Sequence, residues 1–201
     1  MTYKISKISH SQTPFLTIIT RKYGNKRPVG FHANQGSIQG QSDPDLEQIF
    51  ITDEIGQGLH AANKSFSLPA VTSQVLGEYI YLLDDDDFLT YNEFISDLKL
   101  VAENQSFPDV IFFKMKIKLG QLPGDIYPDA LCWENKPLPA RIGGSCFVVK
   151  REVFLRHVAT FGQPRMGDFT FINEIWESGV HCYWWDKLCA ETSKVGRGLP
   201  E

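Results

Sequence analysis

Four consecutive aspartates, Asp84 to Asp87, stand directly behind the apolar run Tyr79-Ile80-Tyr81-Leu82-Leu83. Carboxylates packed that closely repel one another, so some of their pKa values rise unless a cation is present. A divalent metal removes that frustration, and hard oxygen ligands suit magnesium or manganese. The run before them, rich in aromatic and β-branched residues and bounded by Gly77, predicts a buried strand. Such a strand delivers its carboxylates at the C-terminal end, where open α/β sheets bind ligands. The combination predicts a metal–phosphate site. A calcium loop fails on spacing: counting from Asp84, Phe88 falls where the third oxygen ligand belongs and Leu89 where the turn needs glycine. A phosphatase-type nucleophilic aspartate belongs after the first strand of its fold, whereas two strands precede this cluster.

Two further carboxylates have positions that suit chemistry. Asp53 closes an earlier predicted strand, so a parallel sheet places it on the same rim as the cluster, where it can accept hydrogen bonds from ribose hydroxyls or a base. The plainer role for Asp53 and Glu54 is a strand-end turn. Asp168 opens a predicted helix directly after Gly167. Aspartate is a favoured helix cap, and the dipole stabilises its charge. The same geometry keeps a carboxylate ionised and rigidly aimed, which suits a general base.

The elements that must hold these groups alternate. Phe15 to Thr20 predicts a strand, Pro28 to Gln39 a helix, Leu46 to Thr52 a second strand, Leu59 to Phe66 a short helix and Glu78 to Leu83 a third strand. Thr90 followed by Glu93 reads as a capping box for a helix carrying Tyr91, Ile95, Leu98 and Ala102 on one face. Val110 to Phe113 and Phe147 to Val149 predict strands, with a proline-rich excursion over 120–139 between them. Helices over Arg151 to Phe161 and Asp168 to Ser178 follow, then a last strand over Val180 to Trp185. This rhythm predicts a single α/β domain with a largely parallel sheet in its first half and a mixed extension in its second. A nucleotide-binding half spans about 13–105, an acceptor-side half about 106–190 and a flexible tail about 191–201. The tail carries Lys194 and Arg197, cations able to close over a diphosphate.

With 201 residues, 42% apolar, the chain has ample material for a sizeable core. A net charge of −4 and no long Lys/Arg run exclude a role on a nucleic-acid duplex. Cys132, Cys146, Cys182 and Cys189 form no C-x-x-C pair, which predicts buried free thiols. No apolar h-region follows Met1, and no run approaches a membrane span. These features predict a cytoplasmic setting.

Several segments, in order and spacing, resemble the inverting nucleotide-sugar glycosyltransferases of family 2, which have the GT-A fold. Phe15 to Thr20 is similar to that family's opening strand, Ser37-Ile38-Gln39-Gly40-Gln41 to its Ser-Ile-x-x-Gln helix end, and Glu47 to Asp53 to its second strand. Gly77-Glu78-Tyr79-Ile80 through Asp84-x-Asp86-Asp87 resembles its Gly-Glu-Tyr-Ile … Asp-x-Asp-Asp signature, and Gly167-Asp168 through Gly179 its acid-Asp … Gly segment. The resemblance implies a GT-A-like, Rossmann-related domain, mostly parallel with helices on both faces. It implies that Thr20, Arg21, Asp53, Asp84 and Asp85 hold a nucleotide sugar, that Asp84 and Asp86 bind manganese or magnesium, and that Asp168 is the base. The acceptor is then a hydroxyl of a saccharide, a lipid-linked group or another molecule. The sequence departs from the pattern in three places. Thr20-Arg21-Lys22 stands where the family has Pro and Asn, Ala61-Ala62-Asn63-Lys64 only echoes its Ala-Arg-Asn, and residue 167 is Gly in place of an acid. A nucleotidyltransferase or a non-catalytic nucleotide-sugar binder is the alternative.

Overall fold

A computed structural model describes residues 3–117, 125–162 and 167–192. Its nine strands are β1 (Lys4–Ser9), β2 (Leu16–Lys22), β3 (Leu46–Thr52), β4 (Tyr79–Leu82), β5 (Asp87–Leu89), β6 (Val110–Ile117), β7 (Asp125–Tyr127), β8 (Phe147–Lys150) and β9 (Cys182–Thr192). They form one sheet in the order β1-β3-β2-β4-β8-β6-β9-β5, with β7 paired to β6. The helices are α1 (Pro28–Gln39), α2 (Leu59–Lys64), α3 (Pro69–Thr72), α4 (Phe94–Asn104), α5 (Arg151–His157) and α6 (Gly167–Glu177).

The central strands read as continuous apolar runs because both faces of the sheet are covered. Side chains alternate across a strand, so Leu16, Ile18, Tyr79, Tyr81 and Leu83 enter one core with Ile38 of α1 and Phe94, Ile95 and Leu98 of α4. Ile19, Ile80 and Leu82 enter the other with Val153 of α5 and Phe171, Ile172 and Ile175 of α6. The parallel trio β3-β2-β4 is what matters for function, since it brings three C-terminal strand ends to one rim. Elsewhere the sheet is more antiparallel than the sequence implies. β1 runs antiparallel along β3, and β8 lies antiparallel between β4 and β6, while β6 and β9 are parallel.

Gly77 seats the start of β4. A Cβ there would stand 2.3 Å from the Thr17 backbone nitrogen and 2.7 Å from the Leu16 carbonyl carbon, atoms that cannot move without displacing β2. The Gly77 N–H donates to Thr17 Oγ1 at 2.8 Å, and that hydroxyl donates to buried Glu47 at 2.6 Å. Overpacking of this kind typically costs about 1–3 kcal/mol, and more against fixed backbone. Gly77→Ala is therefore expected to lower stability by at least about 3 kcal/mol, read as a drop in the urea midpoint; an unchanged midpoint would show that β2 and β4 can part.

Four local expectations change. Helix α4 starts at Phe94, and its cap position makes no side-chain bond. Thr90 instead extends the pairing with β9, its N–H donating to Cys189 O at 3.0 Å and its hydroxyl to Leu188 O at 2.9 Å. Tertiary pairing has overridden a capping signal. The last strand runs on to Thr192, taking in two residues of the expected tail; residues 193–201 lie outside the described part, as do 118–124 of the excursion. The short second helix ends at Lys64 and tightens into a 3-10 turn over Ser65–Ser67. The helix expected to reach Phe161 likewise ends at His157 in a 3-10 turn. All four cysteines are unpaired. No helix among the described residues is long and apolar enough to cross a membrane.

Candidate active site

The rim of β3-β2-β4 opens into a cavity of about 670 Å³, within the usual range for small-molecule sites. Arg21, Asp53, all four aspartates of the cluster and Asp168 line it. Thr20 does not. It is fully buried, its Oγ1 accepting from Gln48 Nε2 at 2.8 Å, so it braces β2 from within and makes no contact available to a ligand.

Each site group is held by a different element. Asp84 to Asp86 form the turn after β4, and Asp87 already belongs to β5. α1 pins this turn: Asn34, buried on the same helix face as Gly30 and Ile38, donates to the carbonyls of Asp84 at 3.0 Å and Asp87 at 2.9 Å. The Ser-Ile-x-x-Gln segment has a structural purpose in the same place. Ser37 Oγ accepts from the Leu89 N–H at 3.0 Å, and Gln41 Nε2 donates to Tyr91 O at 2.9 Å.

Two arginines meet the aspartates. Arg21 makes a fork to Asp84, Nε to Oδ1 at 2.7 Å and Nη2 to Oδ2 at 2.5 Å, and its Nη1 donates to Asn63 Oδ1. Arg27 Nη1 reaches Asp85 at 2.8 Å and Asp86 at 3.0 Å, and the Tyr23 N–H donates to Asp85 at 2.7 Å. Burial works against both guanidinium charges, yet the adjacent carboxylates raise both pKa values. The carboxylates move upward too. Burial lifts Asp85, with Arg27 and Tyr23 opposing it. Burial and then Asp84 push Asp86 up to about 6. Asp87 is driven well above the usual range by burial, Asp86 and Asp84. Its Oδ2 lies 2.6 Å from Ser145 Oγ, which is 3.1 Å from Leu82 O. Ser145 Oγ donates to the Asp87 carboxylate, with the Leu82 carbonyl as its alternative acceptor.

Asp53 makes the expected strand-end turn. It lines the cavity, and its carboxylate also closes the following turn, accepting from the N–H groups of Ile55 (3.2 Å), Gly56 (2.9 Å) and Gln57 (2.7 Å).

Asp168 lies in the first turn of α6 and faces the acidic turn across the cavity. Burial raises its pKa, Arg21 opposes that rise and Asp84 adds to it. Its carboxylate accepts from the Gly144 backbone, in the 3-10 turn just before β8. A Cβ on Gly144 would stand 3.3 Å from Asp168 Oδ1, so the carboxylate sits where only glycine leaves room. The turn over Gly144–Cys146 therefore touches Asp168 through Gly144 and the acidic cluster through Ser145. Gly144 is not in the left-handed region, so alanine is compatible with its backbone and would act only by pushing Asp168. Since an ångström of misplacement can cost about a hundredfold, Gly144→Ala is expected to lower kcat about tenfold at unchanged donor KM; steady-state kinetics giving wild-type kcat would remove Gly144 from this role.

Arg27, Asn34, Asn63, Gly144 and Ser145 were not singled out as site residues from sequence. The available signals were an arginine at the mouth of a helix and an asparagine on an otherwise apolar helix face.

Among the described residues, six lining aspartates face three lining cations, Arg21, Lys22 and Arg27. A further cation would favour entry of a diphosphate onto this part of the surface. Asp84 and Asp86 are hard oxygen donors of the right kind, and the guanidinium on Asp84 already shows that a cation sits well there. Among the described residues no group of three His, Cys, Asp or Glu side chains is arranged to hold a metal alone, so phosphate oxygens and water must complete any such shell.

The sheet order and rim define a GT-A-like α/β domain. No protein-family model matches the sequence, and no curated protein matches it. Among solved structures, S. aureus TarS 1-349 superposes with a TM-score of 0.63 at 13% identity, covering 89% of this chain and 60% of that one. The same protein in complex with UDP gives 0.60 at 13% identity, covering 89% and 60%. Its complex with UDP-GlcNAc gives 0.59 at 13% identity, covering 90% and 59%. The chain thus spans about 60% of the length of these structures, and the likeness is one of fold.

Proposed function

We propose that this chain is a metal-dependent inverting glycosyltransferase that moves a sugar from a nucleoside-diphosphate donor to an acceptor hydroxyl. The observation that carries the reading is the convergence of Asp53, Asp86 and Asp168, from three separate segments, on one cavity. The fold likeness to a protein solved with UDP and UDP-GlcNAc favours a uridine nucleotide as donor. Four unpaired thiols fit a reducing cytoplasmic setting.

In this reading the nucleoside lies towards Asp53 and the diphosphate between the two arginines and the acidic turn. A manganese or magnesium ion held by Asp84 and Asp86 supplies neutralisation of the charge that develops on the leaving diphosphate. Asp168 Oδ takes the proton of the acceptor hydroxyl as its oxygen attacks the anomeric carbon from the face opposite the leaving group. The new C–O bond forms as the old one breaks, and the diphosphate departs with the bonding electron pair. The result is inversion through an oxocarbenium-like transition state. Burial raises the Asp168 pKa, which makes it a stronger base than an ordinary aspartate, and Arg21 opposes that rise.

The test is product analysis with UDP-sugars and manganese. Release of UDP is expected, slowly with water alone and faster with a hydroxyl acceptor. Release of sugar 1-phosphate, the leaving group when a uridylyl group is transferred from a UDP-sugar, would identify a nucleotidyltransferase, and binding with no release a non-catalytic module; either outcome contradicts the proposal.

A further inference from the structure

We infer that Arg21 is the resident counter-cation of Asp84, occupying the carboxylate that a divalent metal needs and so weakening metal binding by the donor-free protein. The inference rests on the glycosyl-transfer reading only for what the metal is for.

Arg21 is not a loose surface pair. Its fork engages both oxygens of Asp84, at 2.7 and 2.5 Å, and only 15% of its side chain is exposed. The Cζ atom lies 4.8 Å from the Phe66 ring centroid, so the guanidinium face is stacked. The remaining edge bonds Asn63. With its plane, edge and fork all fixed, the side chain is pre-organised on Asp84, and little rotamer entropy is left for a competing ligand to exploit. A metal approaching Asp84 must therefore share or displace a charged, bidentate partner.

Two of the departures from the family pattern belong to this device. Asn63, which orients Arg21, also fills the space beside residue 167: a Cβ at Gly167 would stand 2.5 Å from Asn63 Nδ2. A side chain at 167 would therefore require Asn63, the residue that orients Arg21, to give way. Arg21 after β2 and glycine before Asp168 thus meet at one asparagine.

The experiment is calorimetric titration of manganese alone into donor-free wild type, Arg21→Lys and Arg21→Met, each confirmed folded by circular dichroism. Lysine keeps the charge but loses the planar fork, so Arg21→Lys should bind manganese about three- to tenfold more tightly than wild type. Arg21→Met removes the competing charge as well and should bind at least about tenfold more tightly. Equal affinity in all three proteins, or no manganese bound by any, overturns the inference. If Arg21→Met does not fold, Arg21→Lys decides alone. No donor or acceptor is present, so an absence of glycosyl transfer would count against the enzymatic reading and leave this result standing.

Discussion

Asp168→Asn is expected to cut turnover by at least about a hundredfold and to leave donor affinity nearly intact. General-base assistance is typically worth about 10²–10⁴-fold. The substitution keeps shape and one acceptor oxygen, so the hydrogen bond from Gly144 survives. What it removes is the ability to take a proton. In the proposed arrangement the donor is held by Asp53, the arginines and the acidic turn, and Asp168 serves the acceptor, so the donor loses little. Wild-type turnover in this variant would take Asp168 out of the reaction; a matching loss of donor affinity would make it a binding residue instead.

Asp86→Asn should show two effects of opposite benefit. A ligand to the cation is lost. Outer-sphere partners already cost 10–100-fold in metal affinity, so manganese-dependent UDP binding should weaken by at least about a hundredfold. Stability should move the other way. Asp86 is only 6% exposed, and its pKa is pushed up to about 6 from an ordinary 3.8. A carboxyl whose folded-state pKa is raised binds its proton more tightly when folded. Its stabilising contribution is complete below pH about 4 and is lost as pH rises through about 6. At roughly 1.4 kcal/mol per pH unit, ionised Asp86 costs the metal-free protein on the order of 2–3 kcal/mol. The asparagine variant escapes that cost. Denaturant titrations in chelator should find the two proteins alike near pH 4 and the variant more stable at pH 7. Equal stabilities at pH 7 would mean that Arg27 fully compensates the buried charge.

Such an opposition would mark a functional site, where the native sequence keeps a carboxylate although a neutral amide would fold better. It also explains which parts of the molecule were legible. α1 and β3 are found where the sequence predicts them because Pro28 fixes the helix start and the apolar run Ile49-Phe50-Ile51 fixes the strand. Asp53, Asp84, Asp86 and Asp168 were recognisable because a strand or helix end followed by carboxylate is a local pattern. Arg27, Asn34 and Ser145 were not, because their meaning lies in partners around the acidic turn 50 to 63 residues away, reached only through the fold. Ser145 is paired with Asp87 at a separation of 58 residues, and Arg27 with Asp85 at the same separation. β5 escaped notice because it begins inside the aspartate run, where charge hides the strand pattern. Thr20 is the opposite case: the family resemblance implied a ligand contact, but alternation along β2 turns its side chain into the interior.

The most direct test is a crystal structure of the protein with UDP and manganese. The diphosphate should lie between Arg27 and the acidic turn, with the metal on Asp86 and the nucleoside beside Asp53. Asp168 should face open space on the far side of the diphosphate. Nucleotide bound outside this cavity, or a diphosphate held there with manganese remote from Asp84 and Asp86, would contradict the account.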